Sequence, residues 1–479
     1  MYENYGLFIE NEWRPSASGR TVDVIDPATE ETLGAIPNAS TSDLDAALSA
    51  ARGASAAWAA TSGWDRSEML RRIAHELRQR HEQIATSMSA ETGKPVAEAR
   101  GETTAAIEQF DWYADEARRI YGHTLDGRDP MVRLHVRYHP VGPVAAFTAW
   151  NFPALLPARK IAPALAAGCT IIVKPSEETP SSVFLIAEAA KAAGLPAGVL
   201  GVVTGDPAEI SAHLIASPVI RKVSLTGSVP VGKHLLRLCA DGVKKVSMEL
   251  GGHAPVLVFD DADVETAGRL CAQAKFRNAG QVCISPTRFF VHESVYEPFA
   301  AAVTGVASSL KIGRGLDEGV SFGPMVNKRG RDRVAELVTD AREKGAAVLH
   351  GGSQPAQYSR GFFFEPTVLG KVSDNARIMH EEPFGPVAPI ATFRDFDEVI
   401  ARANDVAFGL AGYVFSRSLE TATRASEALE VGMVGVNDML LATAEMPFGG
   451  IKESGMGREG GQLGIFEYLE PKYTKFRLA

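Results

Sequence analysis

Apolar residues recur at helical spacing through the first hundred or so positions. Residues 44–58 read as an amphipathic helix opened by a capping box of Ser42 and Asp45. Over residues 66–91, Met69, Leu70, Ile73 and Leu77 fall three and four apart, which predicts one long helix. A third helical stretch covers 96–120 and carries Phe110, Trp112 and Tyr113. The rhythm then changes. Short β-type runs at 143–147, 170–173, 199–204, 222–225 and 246–250 alternate with helical stretches at 158–167, 181–193, 208–215 and 231–239. Such alternation predicts a parallel, doubly wound α/β sheet. A second α/β stretch runs from 254 to 436, with strands expected near 255–259, 288–291, 347–349 and 412–415. The half-buried alternation at 131–138 lies outside this pattern, and with 473–478 it is expected to form a small separate sheet.

A chain of 479 residues exceeds what one hydrophobic core usually serves, so two or three domains are expected. With 45% apolar and 22% charged residues it has the balance of a globular protein. The net charge of −9 and the lack of a Lys/Arg block argue against a nucleic-acid surface, so an anionic small ligand needs a few placed cations. The opening MYENYGLFIENEWRP lacks the basic-then-apolar form of a secretory signal, and no apolar run of about 18 residues occurs. No membrane association and a cytoplasmic location are therefore expected. Four cysteines without a CxxC spacing read as reduced thiols, with no metal site.

A GxGxxG match at Gly455, Gly457 and Gly460 has only a short tail after it, too little for the βαβ unit that a dinucleotide fingerprint requires. It reads as a glycine-rich loop. The better candidate is VSLTGSVPVG at 223–232, where a β run ends at Gly227, Ser228 is suited to N-capping, Pro230 stands near the first helical position and Gly232 follows. A helix starting there points free N–H groups at a pyrophosphate, although a Gly-Ser start is more often only a capped turn. Lys174 and Glu177 stand just past a strand end, where ligand crevices of α/β sheets open. A lysine there bonds ribose hydroxyls. A carboxylate accepts from a 2′-OH and repels a 2′-phosphate, which favours NAD over NADP. The alternative is a solvated charged loop.

Among the thiols, Cys169, Cys239 and Cys271 stand in apolar segments and read as core. Cys283 follows a glycine-containing break and precedes a Ser-Pro turn, which puts it in a loop where a thiol is accessible. The run FRNAGQVCISPTR around it resembles the catalytic loop of the aldehyde dehydrogenase superfamily. AWNFP (149–153), KPSEETP (174–180), the TGS turn, MELGGHAP (248–255), EEPFGPV (381–387) and PFGGIKESGMGREG (447–460) also resemble that family's motifs, in its order.

The resemblance implies an aldehyde dehydrogenase-like fold with a Rossmann-type cofactor domain (1–122 and 142–252), a catalytic domain (253–445), a loop returning to the cofactor domain (446–464) and an oligomerisation segment (123–141 and 465–479) of a homodimer or homotetramer. It implies Cys283 as nucleophile, the Asn151 side chain and the Cys283 N–H as oxyanion donors, and Glu249 as the base that hydrolyses a thioester. Trp150, Lys174, Glu177, Gly227, Ser228, Gly232 and Leu250 would line the cofactor crevice, Glu382 would hold the nicotinamide ribose and Phe384 would pack near the ring. His253 departs from the family's Lys or Asn after ELGG and reads as structural.

Arg159, in PALLPARK, and Arg277 match positions where succinate-semialdehyde and related branches carry substrate-binding arginines; the alternative is that each bonds a helix end or a carbonyl. YADEARRIYG (113–122) and the Cys283 run are also similar to α-ketoglutaric semialdehyde dehydrogenases. Ser285 replaces the second cysteine common in succinate-semialdehyde enzymes, and Ala442 and Thr443 stand where a substrate-contacting serine is expected. The expected activity is NAD-dependent oxidation of a semialdehyde; a general aldehyde dehydrogenase and an idle NAD-binding paralogue are the competing readings.

Overall fold

The computed structural model describes residues 2–478. Its first sheet has eight strands, and the five at its centre are parallel. Across the sheet they run Leu200–Val202, Ile171–Lys174, Val144–Phe147, Lys222–Thr226 and Lys245–Glu249. Chain order reverses between Val144–Phe147 and Lys222–Thr226, and a crevice at such a switch point, beyond the strand ends, is where α/β sheets take ligands. Helices such as Leu155–Ala167, Ser181–Ala192, Pro207–Ala216 and Val229–Ala240 connect the strands. The first four parallel strands are buried throughout, which is why they read as continuous apolar runs.

A second sheet of seven strands runs Ala347–His350, Thr367–Gly370, Val387–Phe393, Pro286–His292, Ala254–Val258, Ala411–Phe415 and Met433–Val436. In a third, Leu469–Arg477 pairs antiparallel with Val132–Pro140, which also takes His123–Asp126. Past Leu469 the outer strand is exposed at every position. Among the described residues no helix is long and apolar enough to cross a membrane.

Four departures from the sequence pattern have local causes. The expected helix over 66–91 is two, Gly63–Gln79 and His81–Thr92, broken at Arg80 (φ −101°, ψ 7°) without a proline or glycine to announce it. The capping box is Ser40 with Asp43, not Ser42 with Asp45: the Ser40 N–H donates to Asp43 Oδ2 at 2.8 Å, and Ser42 lies in the first turn of Thr41–Ala60. Leu7–Ile9 and Glu12–Arg14 extend the first sheet, although only a helical start was expected. Val387–Phe393 is a central strand despite Pro389, a residue that argues against central strands.

One buried ion pair fixes the chain between the first sheet and the helix behind it. Glu102, on helix Val96–Glu116, accepts from the Ala154 N–H at 2.9 Å and the Leu155 N–H at 3.3 Å. It thus caps Leu155–Ala167, which has no side-chain cap of its own. Lys94 donates to Glu102 at 2.5 Å and to the Asn151 carbonyl at 2.7 Å. Lys94→Met would strand the Glu102 carboxylate without its counter-charge, and we expect a loss of about 3–5 kcal/mol in denaturant unfolding. A loss below about 1 kcal/mol, the worth of an exposed pair, would show that this contact does not hold the turn.

Candidate functional site

Cys283 follows a strained turn. Asn278 (φ 49°), Ala279 (φ 51°) and Gly280 (φ 72°) are successive left-handed residues, a conformation that persists only where the surroundings enforce it. Those surroundings are polar and closed. The Asn278 N–H donates to Glu98 at 2.8 Å, and its side-chain amide donates to the Asn151 carbonyl at 3.0 Å. Gln281 Nε2 donates to the Asn278 carbonyl at 3.0 Å, and Gln281 Oε1 accepts from the Val326 N–H at 3.0 Å. A Cβ on Gly280 would run into the Gly385 carbonyl, so only glycine fits there. The Cys283 side chain is half-buried beside the apolar cluster of Phe152, Leu156, Phe448 and Tyr413, whereas Cys169, Cys239 and Cys271 are buried in cores. Desolvation, with the Glu249 carboxylate adding to it, pushes the Cys283 thiol up to about 12, while Arg159 pulls the other way.

Asn151 is buried, and its Nδ2 donates to the Gln281 carbonyl at 3.1 Å, two residues before Cys283. An amide nitrogen carries two N–H groups, so this one contact leaves a donor over.

Glu249 ends the strand Lys245–Glu249 and is buried with both carboxylate oxygens unpartnered. Burial, reinforced by Glu459, holds its carboxyl well above the usual range; Lys160, Arg159 and Arg458 oppose the shift. Lys160 itself is fully buried in an ion pair with Glu459. Neither residue stood out in the sequence. Glu459 belongs to the GxGxxG run, whose Gly455–Met456 forms an antiparallel edge strand on Lys245–Glu249, so the glycines let the loop close onto that edge.

The crevice residues gather at the strand ends of the first sheet. Lys174 Nζ meets Glu177 at 2.6 Å, with Lys174 buried and Glu177 open. Gly227 donates its N–H to the Glu249 carbonyl at 2.9 Å. Ser228 is the N-cap of Val229–Ala240 but makes no side-chain cap bond, contrary to the capping role the sequence suited it for. The Val229 and Val231 N–H groups of the first turn are thus without a side-chain cap. Gly232 gives Leu250 room to pack on that helix. Trp150 meets Phe384 edge-to-face at 5.5 Å, and Phe384 is itself left-handed (φ 41°). Glu382 accepts from the Gly252 N–H at 3.1 Å and lies so close over Gly251 that a side chain there would collide with it. Burial lifts Glu382 to about 7.

Arg159 is buried, with its Cζ 4.2 Å from the Phe448 ring centroid and its Nε and Nη2 without partners. Arg277 is half-buried, 5.1 Å from the Phe152 centroid, and makes no ion pair among the described residues. Both rings belong to the apolar cluster beside Cys283, and Ala442 packs against it as well. His253 is buried and bonded through Nδ1 to the Thr287 hydroxyl at 2.8 Å. Burial, with Arg288 adding to it, holds its pKa well below the usual value.

The aldehyde dehydrogenase family profile matches residues 13–474. The chain belongs to the aldehyde dehydrogenase family. It is 45% identical to a glutarate-semialdehyde dehydrogenase of Pseudomonas putida over 97% of this chain and 96% of that protein. It is also 45% identical to the NADP(+) succinate-semialdehyde dehydrogenase GabD of Escherichia coli K12, again over 97% and 96%. Among solved structures, a succinate-semialdehyde dehydrogenase from Burkholderia pseudomallei superposes with a TM-score of 0.97 at 43% identity, covering 99% of this chain and 98% of that one. The chain is thus an aldehyde dehydrogenase with an α/β fold of cofactor and catalytic sheets, among semialdehyde-oxidising relatives.

For this aldehyde dehydrogenase the strained turn is a direct handle on the thiol. Gly280→Ala forces a methyl group against the Gly385 carbonyl and must displace the loop. A displacement near 1 Å at a reacting group costs about 100-fold in rate. We expect kcat to fall by about that factor and the melting temperature to fall with it, because the collision is with backbone at a left-handed position; wild-type turnover in the folded variant would mean that the turn does not set the position of Cys283.

Proposed function

We propose that the chain oxidises a short semialdehyde bearing a terminal carboxylate, succinic semialdehyde foremost, to the diacid with NAD. The observation that carries this reading is the buried Arg159 guanidinium with two unpartnered nitrogens beside the cluster that flanks Cys283. Leaving such donors unpaired is costly unless a ligand completes them. A carboxylate satisfies a guanidinium bidentately, and Arg277 at the same cluster offers a second contact. Among the described residues neither a helix end nor a carbonyl accepts from Arg159 Nε or Nη2. The names of the glutarate- and succinate-semialdehyde relatives agree in chemical class.

In this reading Cys283 attacks the aldehyde carbon as thiolate, its proton passing to water, and Arg159, which acts against the burial that raises the thiol, favours that loss. The Asn151 amide and the Cys283 N–H hold the resulting oxyanion. NAD would supply the hydride acceptor when bound; Glu382, Lys174, Glu177 and the start of Val229–Ala240 would hold it, and Trp150 and Phe384 would line its crevice. The thioester left on Cys283 is hydrolysed by water that Glu249 deprotonates. Glu177 faces the position of a 2′-phosphate with a negative charge, which supports NAD over NADP. The segments 123–141 and 465–479 would join subunits, because the strand Leu469–Arg477 presents Tyr473 and Phe476 to solvent.

Three outcomes test this. Comparing succinic, glutaric and α-ketoglutaric semialdehydes with propanal, Arg159→Met should lower kcat/KM for the carboxylated substrates by about 100-fold more than for propanal, whose own smaller loss reflects the pull of Arg159 on Cys283 and Glu249. An equal loss for all four would remove the carboxylate clamp. Because burial raises the Glu249 carboxyl, kcat should climb with pH through a limb above the ordinary carboxylate value of about 4.3. Glu249→Gln should remove that limb and slow turnover while keeping a pre-steady-state burst of NADH; a lost burst would move Glu249 to an earlier step. For the cofactor, Glu177→Gln should raise NADP use relative to NAD, and an unchanged ratio would end its part in discrimination.

A further inference from the structure

Glu177 is followed at once by a second carboxylate, Glu178, that no step above uses. The two are the central residues of a turn from Ser176 to Thr179, closed by the Thr179 N–H on the Ser176 carbonyl at 3.3 Å. One long bond leaves such a turn soft, so its side chains decide how it stands. Glu177 pairs with Lys174 at 2.6 Å, and Glu178 takes a different partner. Its Oε1 accepts from Asn327 Nδ2 at 2.6 Å, 149 residues further on and on the catalytic side of the crevice. Asn327 reaches across from a fixed base. Its Oδ1 caps helix Lys328–Glu343 by accepting from the Gly330 N–H at 2.9 Å, and that helix packs on the second sheet through Val334, Leu337 and Val338. The neighbouring Val326 is buried and donates its N–H to Gln281 Oε1 at 3.0 Å.

We propose that Asn327 is a positioning residue for the cofactor: by holding Glu178 across the crevice, it leaves Lys174 and Glu177 paired and turned toward the adenosine ribose. This rests on the reading of Lys174 and Glu177 as the ribose contacts. Adjacent carboxylates repel each other, and Lys174 acts on Glu178 as well as pairing with Glu177. Left free, Glu178 would compete with Glu177 for that ammonium. A charge-assisted bond to Asn327 takes it out of the competition. An amide does this without bringing in a further cation, which would itself attract a 2′-phosphate. Burial raises the Glu178 carboxyl, and the Asn327 amide is the largest influence against it, ahead of Arg329 and Lys174. A loop fixed in this way before the ligand arrives loses little freedom on binding.

The test is calorimetric binding of ADP, which carries the adenosine ribose and lacks the nicotinamide, to the full-length protein, beside KM for NAD and kcat. Asn327→Asp keeps an oxygen for the Gly330 N–H but sets a carboxylate against Glu178. From the worth of a hydrogen bond to a charged group, we expect ADP binding to weaken and KM for NAD to rise by about tenfold, with kcat at saturating NAD unchanged. Adding Glu178→Gln to Asn327→Asp reverses donor and acceptor across the contact and should restore ADP binding. Unaltered ADP affinity in Asn327→Asp, or a loss that the double variant does not recover, overturns the proposal. So does a fall in kcat with KM unmoved, which would put the effect on the Gln281 side. Should Asn327→Asp fail to fold, Glu178→Ala removes the same contact without touching the helix cap, and the same loss is expected. Lys174→Met separates the two readings. ADP binding unaltered by it means that the ribose reading is wrong; a loss with Lys174→Met and none with Asn327→Asp removes Asn327 alone.

Discussion

The contact between Lys94 and Glu102 governs how this molecule can build a reaction centre. Three segments far apart in the chain have to meet at one point: residues 94–102, the turn of Asn151 with the helix that follows it and carries Arg159 and Lys160, and the loop before Cys283. Glu102 closes the open N–H groups of that helix, Lys94 holds the Asn151 carbonyl, and the same carbonyl receives the Asn278 amide. A neutral pair would give hydrogen bonds of ordinary strength; charge-assisted ones are shorter and stronger, and in a dry interior they tolerate little drift. Asn151 and the loop before Cys283 are therefore tied to a common anchor.

Around that anchor the ionisable groups are arranged by desolvation first and by neighbours second. Burial alone would leave Glu249, Glu382 and Cys283 uncharged, and each has a cation acting against this: Lys160 and Arg159 for Glu249, Lys275 for Glu382, Arg159 for Cys283. Arg159 appears in two of these relations and retains free donors, so an anion bound to it would be felt by both Cys283 and Glu249. Anion binding at Arg159 and the protonation of those two groups are in this way electrically connected.

How much of this was legible in the sequence follows from what sequence can encode. The parallel strands of the first sheet were visible because burial on both faces makes them continuous apolar runs. Leu7–Ile9 and Glu12–Arg14 were not, being three residues each and partly polar. Val387–Phe393 was hidden by Pro389, and the break at Arg80 has no composition to mark it. Cys283, Asn151, Glu249 and the two arginines could be picked out because their motifs keep a fixed order. Lys160, Lys275 and Glu459 escaped notice because a charged letter in a helix or a loop looks solvated until its burial is known. The cap falls on Ser40 and not on Ser42 because the helix starts at Thr41, a boundary that the spacing of apolar residues leaves open by a residue or two.

The pairing of Lys160 with Glu459 joins residues 299 positions apart, and Gly455–Met456 adds its strand to the sheet edge that ends in Glu249. During synthesis nearly the whole chain must emerge before the surroundings of Glu249 are complete. Contacts of such sequence separation close late and slowly, because the entropy of a long loop is lost before the contact returns anything. Until then the edge strand Lys245–Glu249 stays uncovered and open to pairing with other chains. The segment 455–459 thus serves as a latch on the folding of the enzyme: a nascent chain that stops short of it carries Cys283 and Asn151 but leaves Glu249 on an open sheet edge.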